Sequence, residues 1–203
     1  MDRVKKIIHT DYAYRSGLSG QNITVAVMDT GIVPHPDFED RIIYFKDFCN
    51  GRNEMYDDNG HGTHVSGIIA GNGKMSEQYV KGTAHNVRRY SGVAPRCKII
   101  MLKVLDENGN GNTKKVLDAV NWVKANRKLH HIRILNISVG MLPGAGLEEQ
   151  RKLLHAIDEL WDEGIMVVAA AGNNGPKENT VTIPGISRKV LTVGSSDDDT
   201  SDH

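Results

Sequence analysis

Ile23-Thr-Val-Ala-Val-Met-Asp-Thr-Gly31 is a β-branched, apolar run that ends in a carboxylate, a hydroxyl and a glycine. Residues 23–28 read as a buried strand, because apolar residues run on without a polar alternation. A carboxylate at the end of such a strand is costly unless something pairs with it. Gly31 lets the chain turn away at once. Taken alone, Asp29 could equally be a turn or helix-cap residue.

Working outward, the same kind of run recurs at Lys98–Leu105, Ile132–Val139, Ile165–Ala171 and Lys189–Gly194. Residues 165–171 read as fully buried, with no alternation. Helical patterns lie between these runs. His61–Gly71 has a small-residue face at Gly67 and Ala70, and Gly67 is expected to let that helix pack closely. Thr113 is an N-cap candidate for a helix with Val116, Leu117, Val120 and Val123 on one stripe. Leu153, Leu154, Ile157, Leu160 and Trp161 form a second stripe, stopped at Gly164. Residues 72–92 are polar and read as a long surface loop. The end, 195–203, is polar and acidic.

This alternation predicts an α/β fold: three layers, with a doubly wound, mostly parallel sheet and helices on both faces. Residues 1–203 read as a portion of one domain. Ligand chemistry in such sheets sits at the carboxyl ends of the strands. Three predicted strands end suggestively, in Asp29-Thr-Gly31, Ser138-Val-Gly140 and Ala170-Ala-Gly-Asn173.

The totals set bounds. Apolar residues are 39% and charged residues 25%, ordinary for a globular protein. Lys+Arg and Asp+Glu are both 25, so the net charge is zero and nothing favours nucleic acid or an anionic membrane as a partner. No apolar run reaches the ~20 residues of a membrane span. The first residues lack the apolar core and cleavage site of a signal peptide. Cys97 sits in an apolar run and Cys49 in a turn-like stretch. Two lone thiols suit a reducing compartment, and the expected location is the cytoplasm, the alternative being that an upstream segment was removed before this numbering begins.

His61 opens His61-Gly-Thr-His64-Val-Ser-Gly67, with Gly62 removing a side chain beside the imidazole. A zinc site on His61 and His64 would want further ligands at suitable spacing, and none is evident. Asn173 lies in Ala169-Ala-Ala-Gly-Asn-Asn-Gly175. It can be a turn residue, or a side-chain amide that donates to an oxyanion.

In this order and with these neighbours, the residues resemble the subtilisin family of serine proteases. Val27-Met-Asp-Thr-Gly-Ile32 with His35-Pro-Asp37 resembles the family's Asp motif, and His61-Gly-Thr-His-Val-Ser-Gly-Ile-Ile-Ala-Gly71 its His motif. Gly92-Val-Ala-Pro95, Lys103-Val-Leu105, Asn136-Ile-Ser-Val-Gly140 and Val168-Ala-Ala-Ala-Gly-Asn173 follow as further landmarks. The likeness runs from about Val4 to the end and looks most like the intracellular bacterial branch.

The resemblance implies roles. His61 would be the general base and then the general acid, held in its tautomer by Asp29. Asn173 would stabilise the oxyanion. Gly109 and Gly111, and Ser138, Val139 and Gly140, would edge an extended peptide substrate by β-augmentation. Ala170 to Gly172 would line the primary pocket. Thr182 would sit at its base and narrow it, and the Ile183–Pro184 bond would be cis. Asp37 matches a calcium ligand, but residues 72–92 show no recognisable partner ligands. No cofactor is assigned, and calcium stays open.

One part of the pattern is missing. The nucleophile of this family sits in a Gly-Thr-Ser-Met-Ala-type motif, which is not among these residues. Ser66, Ser138, Ser187, Ser195, Ser196 and Ser201 all lack glycine-led, small neighbours. The chain is therefore expected to be inactive alone. A complementary C-terminal fragment, or self-association, would cover the apolar surface left bare. Other readings are a non-catalytic peptide-binding remnant, an aspartic protease and a nucleotide-binding domain. An aspartic protease needs two Asp-Thr-Gly carboxylates where one exists. A nucleotide site needs a Gly-x-Gly-x-x-Gly after the first strand, which is absent.

Overall fold

The computed structural model describes residues 2–77, 90–142 and 146–196. The apolar run at Ile23 forms β1 (Thr24–Asp29), buried along its whole length. Around it lie β2 (Ile42–Asp47), β3 (Lys98–Lys103), β4 (Ile132–Ile137), β5 (Met166–Ala170) and β6 (Leu191–Val193). They make one sheet in the order β2-β3-β1-β4-β5-β6, and every pairing is parallel. The chain builds outward on one side of β1 through β3 and β2, then on the other through β4, β5 and β6. The carboxyl end of β1 thus lies where the winding reverses, the usual place for chemistry in such a sheet.

The described helices are α1 (Asp2–Ile7), α2 (Thr10–Arg15), α3 (His61–Ala70), α4 (Lys74–Glu77), α5 (Thr113–Asn126) and α6 (Leu147–Asp162). α5 and α6 cover one sheet face. Their Val116, Val120, Val123, Leu153, Ile157 and Leu160 pack on Ala26, Met28, Ile100, Leu102, Leu135 and Val167. α3 covers the other face, where Ala70, Val65 and Ile69 meet Val25, Val27, Ile99 and Met101. The sheet is thus the middle of three layers, as the alternation of runs predicts.

Three sequence expectations change. Met166–Ala170 does alternate: Val167 and Ala169 are buried under the α5 and α6 side, while Met166, Val168 and Ala170 are not fully covered. Register carries this second face across to Leu191 and Val193, which are 55% and 51% exposed. On this side Ile134 of β4 still packs with the α3 cluster, whereas β5 and β6 are only partly covered among the described residues. The cap of α5 is Asn112, one residue before Thr113: its side chain accepts from the Lys115 N–H at 2.9 Å. Asn112→Ala is expected to cost about 1 kcal/mol in thermal unfolding. Finally, a side chain at Gly67 would meet nothing within 4 Å among the described residues, so close packing among them does not require this glycine.

β2, α1 and α2 are absent from the sequence reading. β2 mixes Tyr44 and Lys46 into its run because it is an edge strand with only partial cover. α1 is anchored through Lys5, which is buried and donates to the Ser91 carbonyl at 2.9 Å. Residues 74–77 of the expected loop 72–92 form α4, and 78–89 lie outside the described residues.

Candidate active site

Asp29 ends β1 and is completely buried, on the sheet face that carries α3. His61 begins α3 with its imidazole half exposed. His61 Nδ1 lies 2.8 Å from Asp29 Oδ1, and since an ionised carboxylate only accepts, the imidazole nitrogen is assigned as the donor. The same oxygen accepts the Thr30 N–H at 2.7 Å. Among the described residues Asp29 Oδ2 has no hydrogen-bond partner, a condition that native proteins show mainly at functional or otherwise exceptional positions. The pairing holds the ring so that Nε2 is left to act on a neighbour.

The approach of α3 to β1 is set by glycine. A Cβ at Gly62 would lie 2.2 Å from the Gly31 carbonyl oxygen and 3.1 Å from Asp29 Cβ. Gly31 has φ +135°, and a Cβ there would lie 2.1 Å from the Tyr56 carbonyl oxygen. Three strands of chain therefore meet at van der Waals distance through two positions without side chains.

Asp57 ties them together, and sequence reading missed it. Its Oδ1 accepts from Thr30 Oγ1 at 2.8 Å and from the Gly60 N–H at 2.8 Å, and its Oδ2 from Thr63 Oγ1 at 2.6 Å and the Thr63 N–H at 2.8 Å. Thr30 Oγ1 in turn accepts the Gly62 N–H at 2.9 Å. The available signal was Asp57-Asp-Asn-Gly60 directly before a helix, a stretch rich in residues that satisfy free N–H groups.

Burial pushes the Asp57 carboxyl up, but the donors from Thr63, Gly60 and Thr30 outweigh it and hold it below the usual carboxylate range. A carboxyl depressed on folding gives stability above its unfolded pKa, near ~4, and that stability is lost as pH falls through the folded value. Asp57→Asn is expected to lower stability at pH 7 and to flatten the fall below about pH 4, as read by urea unfolding across pH. Asp47 is also held low, because Tyr56 and the N–H groups of Asn50, Cys49 and Arg52 outweigh its burial. Burial and the Asp47 carboxylate push the Tyr56 hydroxyl up to about 12.

The other predicted residues fall as follows. Asn173 is exposed, three residues beyond β5. Thr182 is buried, with its N–H donating to the Ala171 carbonyl at 2.9 Å. Gly140 and Gly172 both press on it: a Cβ at Gly140 would lie 2.1 Å from Thr182 Oγ1, and one at Gly172 would lie 2.7 Å from its Cγ2. Thr182, Gly140, Gly172 and the end of β5 at Ala170 thus form one cluster. The Ile183–Pro184 bond is cis. Ser138 lies just past β4, and its Oγ accepts from Asn136 at 2.7 Å; Val139 is buried. Gly109 and Gly111 belong to an exposed turn folded on the Asp106 carboxylate. Asn59 Nδ2 donates to the Glu107 carbonyl at 3.0 Å and joins that turn to the stretch before His61.

Asp37 is already engaged, accepting the Met75 N–H at 2.8 Å. Among the described residues no group of three His, Cys, Asp or Glu side chains is placed to hold a metal. No helix among them is long and apolar enough to cross a membrane. Cys49 and Cys97 are free thiols, and burial pushes Cys97 up to about 11. Ser66, Ser138 and Ser187 do not bond His61; Ser187 donates to Asp158 at 2.6 Å, and Ser66 Oγ is buried. Ser201 lies outside the described residues.

Comparison with known proteins follows the same lines. The model of the subtilase family matches residues 20–203. Serine protease AprX of Bacillus subtilis (strain 168) is 40% identical over 207 residues, covering 98% of this chain and 44% of that protein. Minor extracellular protease Epr of the same organism is 34% identical over 192 residues, covering 94% of this chain and 26% of that protein. Among solved structures, sphericase superposes with a TM-score of 0.71 at 27% identity, over 86% of this chain and 54% of its own. The chain thus spans about half the length of these relatives or less.

Proposed function

The chain belongs to the subtilase family, a family of serine-type peptidases, and on that premise we propose that it carries the Asp and His of a serine endopeptidase. The observation that carries the reading is the 2.8 Å bond between a half-exposed His61 and a fully buried Asp29 at the end of the central strand. His61 Nε2 takes the proton of a serine hydroxyl as that oxygen attacks the peptide carbonyl, then gives it to the leaving amine. Asp29 fixes the tautomer and stabilises the imidazolium. Asn173 donates its amide to the oxyanion.

The substrate is an extended peptide, edged by Gly109 and Gly111 on one side and Ser138 to Gly140 on the other. Ala170 to Gly172 line the pocket for its primary side chain. Thr182, pressed between Gly140 and Gly172, narrows that pocket and disfavours the bulkiest residues. No cofactor is assigned and calcium stays open; a cytoplasmic location is supported by two unpaired thiols.

No nucleophile motif is among these 203 residues, so the chain alone is inactive. The half-exposed Met166, Leu191 and Val193 support a complementary C-terminal part of the fold that brings the serine, or failing that self-association. The test is a fluorophosphonate probe on the purified protein, resolved by denaturing gel and intact mass. Label on a second, separate polypeptide supports the reading. Label on this chain makes one of its own serines the nucleophile and overturns it. No label anywhere means that these residues are catalytically incomplete and the activity belongs to the parent protein, while extended peptides bound without turnover support the non-catalytic peptide-binding reading.

A further inference from the structure

Register places Asp47, Lys103 and Asp29 side by side at the ends of β2, β3 and β1. Paired residues of parallel strands point to the same face, so three charged side chains stand in one row. All three are buried, Lys103 completely. Lys103 Nζ donates to the Thr30 carbonyl, and to Asp58 Oδ1 at 2.7 Å. It also lies 4.8 Å from the centre of the Tyr56 ring. Tyr56 is itself fixed: its hydroxyl donates to Asp47 Oδ2 at 2.6 Å, and its carbonyl accepts the Ile32 N–H at 3.1 Å.

The ammonium therefore grips two segments. One is the turn immediately after Asp29. The other is the stretch 56–58 that leads into His61. A lysine head without solvent is costly to bury, and an apolar side chain of similar length would fill the same space without that cost. What the charge adds is its contacts, and they fall on the two pieces of chain that carry the Asp29–His61 pair.

We propose that Lys103 is a positioning residue that locks the turn bearing Asp29 against the segment bearing His61, so that the imidazole keeps one tautomer. The inference rests on reading Asp29 and His61 as a catalytic pair, but its test does not need turnover. The measurement is ring ¹⁵N NMR of the histidines in this chain, at a pH where His61 is neutral, which reports how much of the ring carries its proton on Nδ1.

In Lys103→Met the Nε2-protonated form is expected to rise about tenfold, the equilibrium equivalent of losing one buried hydrogen bond to a charged group. Asp58→Ala moves the ring the same way but less. Asp58→Asn keeps an oxygen acceptor for Nζ and restores the signal. Leu153→Ala, in the core beneath α6, lowers stability but leaves the ring unchanged. If Lys103→Met does not fold, the Asp58 pair decides. His61 signals that ignore both Lys103→Met and Asp58→Ala overturn the proposal. A native chain that shows no Nδ1-protonated His61 at all would instead overturn the Asp29–His61 pairing, and with it the protease reading.

Discussion

Gly62→Ala is expected to pull His61 off Asp29 and to cost about 3 kcal/mol or more of stability. The new methyl group would lie 2.2 Å from the Gly31 carbonyl oxygen and 2.9 Å from its nitrogen. Those are backbone atoms, which cannot rotate aside. Nor can the turn retreat, since Gly31 already lies against the Tyr56 carbonyl, where a Cβ would come within 2.1 Å. The relief has to come from α3 moving outward, which stretches the Gly62 N–H bond to Thr30 Oγ1 and the His61–Asp29 bond together. Gly67→Ala, one and a half turns further along the same helix, is the matched control. It meets nothing within 4 Å among the described residues and should be neutral, or stabilising by up to ~1 kcal/mol, as for an ordinary helix-interior glycine. Urea unfolding of the two variants, with the His61 ring signals followed by NMR, checks both. Equal stabilities would mean that the close approach of α3 and β1 is not a constraint.

Asp29→Asn should reduce turnover by about 10⁴ in the assembled protease while leaving KM nearly unchanged. The reason is the tautomer. Asp29 Oδ1 accepts from both His61 Nδ1 and the Thr30 N–H. An Asn in its place can turn its NH2 group towards the ring at the cost of the Thr30 N–H bond, which obliges Nδ1 to accept and moves the proton to Nε2. That nitrogen can then no longer take a proton from a hydroxyl. The fold should survive, because the two side chains share a shape and the site is already enclosed. The readouts are kcat and KM of the protease carrying its serine, and the tautomer of His61 in the chain alone. A kcat within tenfold of the parent would remove Asp29 from the mechanism.

How much of this was legible beforehand depends on how local the cause was. β1 and Asp29 stand out because an apolar run followed by a carboxylate has few explanations. α3 stands out because its glycines and histidines come at helical spacing. The parallel sheet between helical layers follows from the alternation of runs, but its strand order does not. The braces do not. Asp57 looks like one more turn aspartate until Thr30, Gly60 and Thr63 are seen around it. Lys103 looks like the polar end of a strand, and only the strand register puts it beside Asp29. β2 was missed because an edge strand tolerates Tyr44 and Lys46, which blurs its pattern. The expected full burial of Ile165–Ala171 failed because the cover over one face is not a property of that segment at all. It depends on what lies across from Met166, Val168 and Ala170.

That partly covered face has a calorimetric consequence. Unfolding raises the heat capacity in proportion to the apolar surface newly given to water, about 12–15 cal/mol/K per residue for ordinary domains. Here Met166, Leu191 and Val193 are already about half exposed in the native chain and have less left to expose. The chain alone should therefore unfold with a heat-capacity increment slightly below that of the same residues under cover, a difference on the order of 0.1 kcal/mol/K. Covering β5 and β6 with a partner should bring the increment back up.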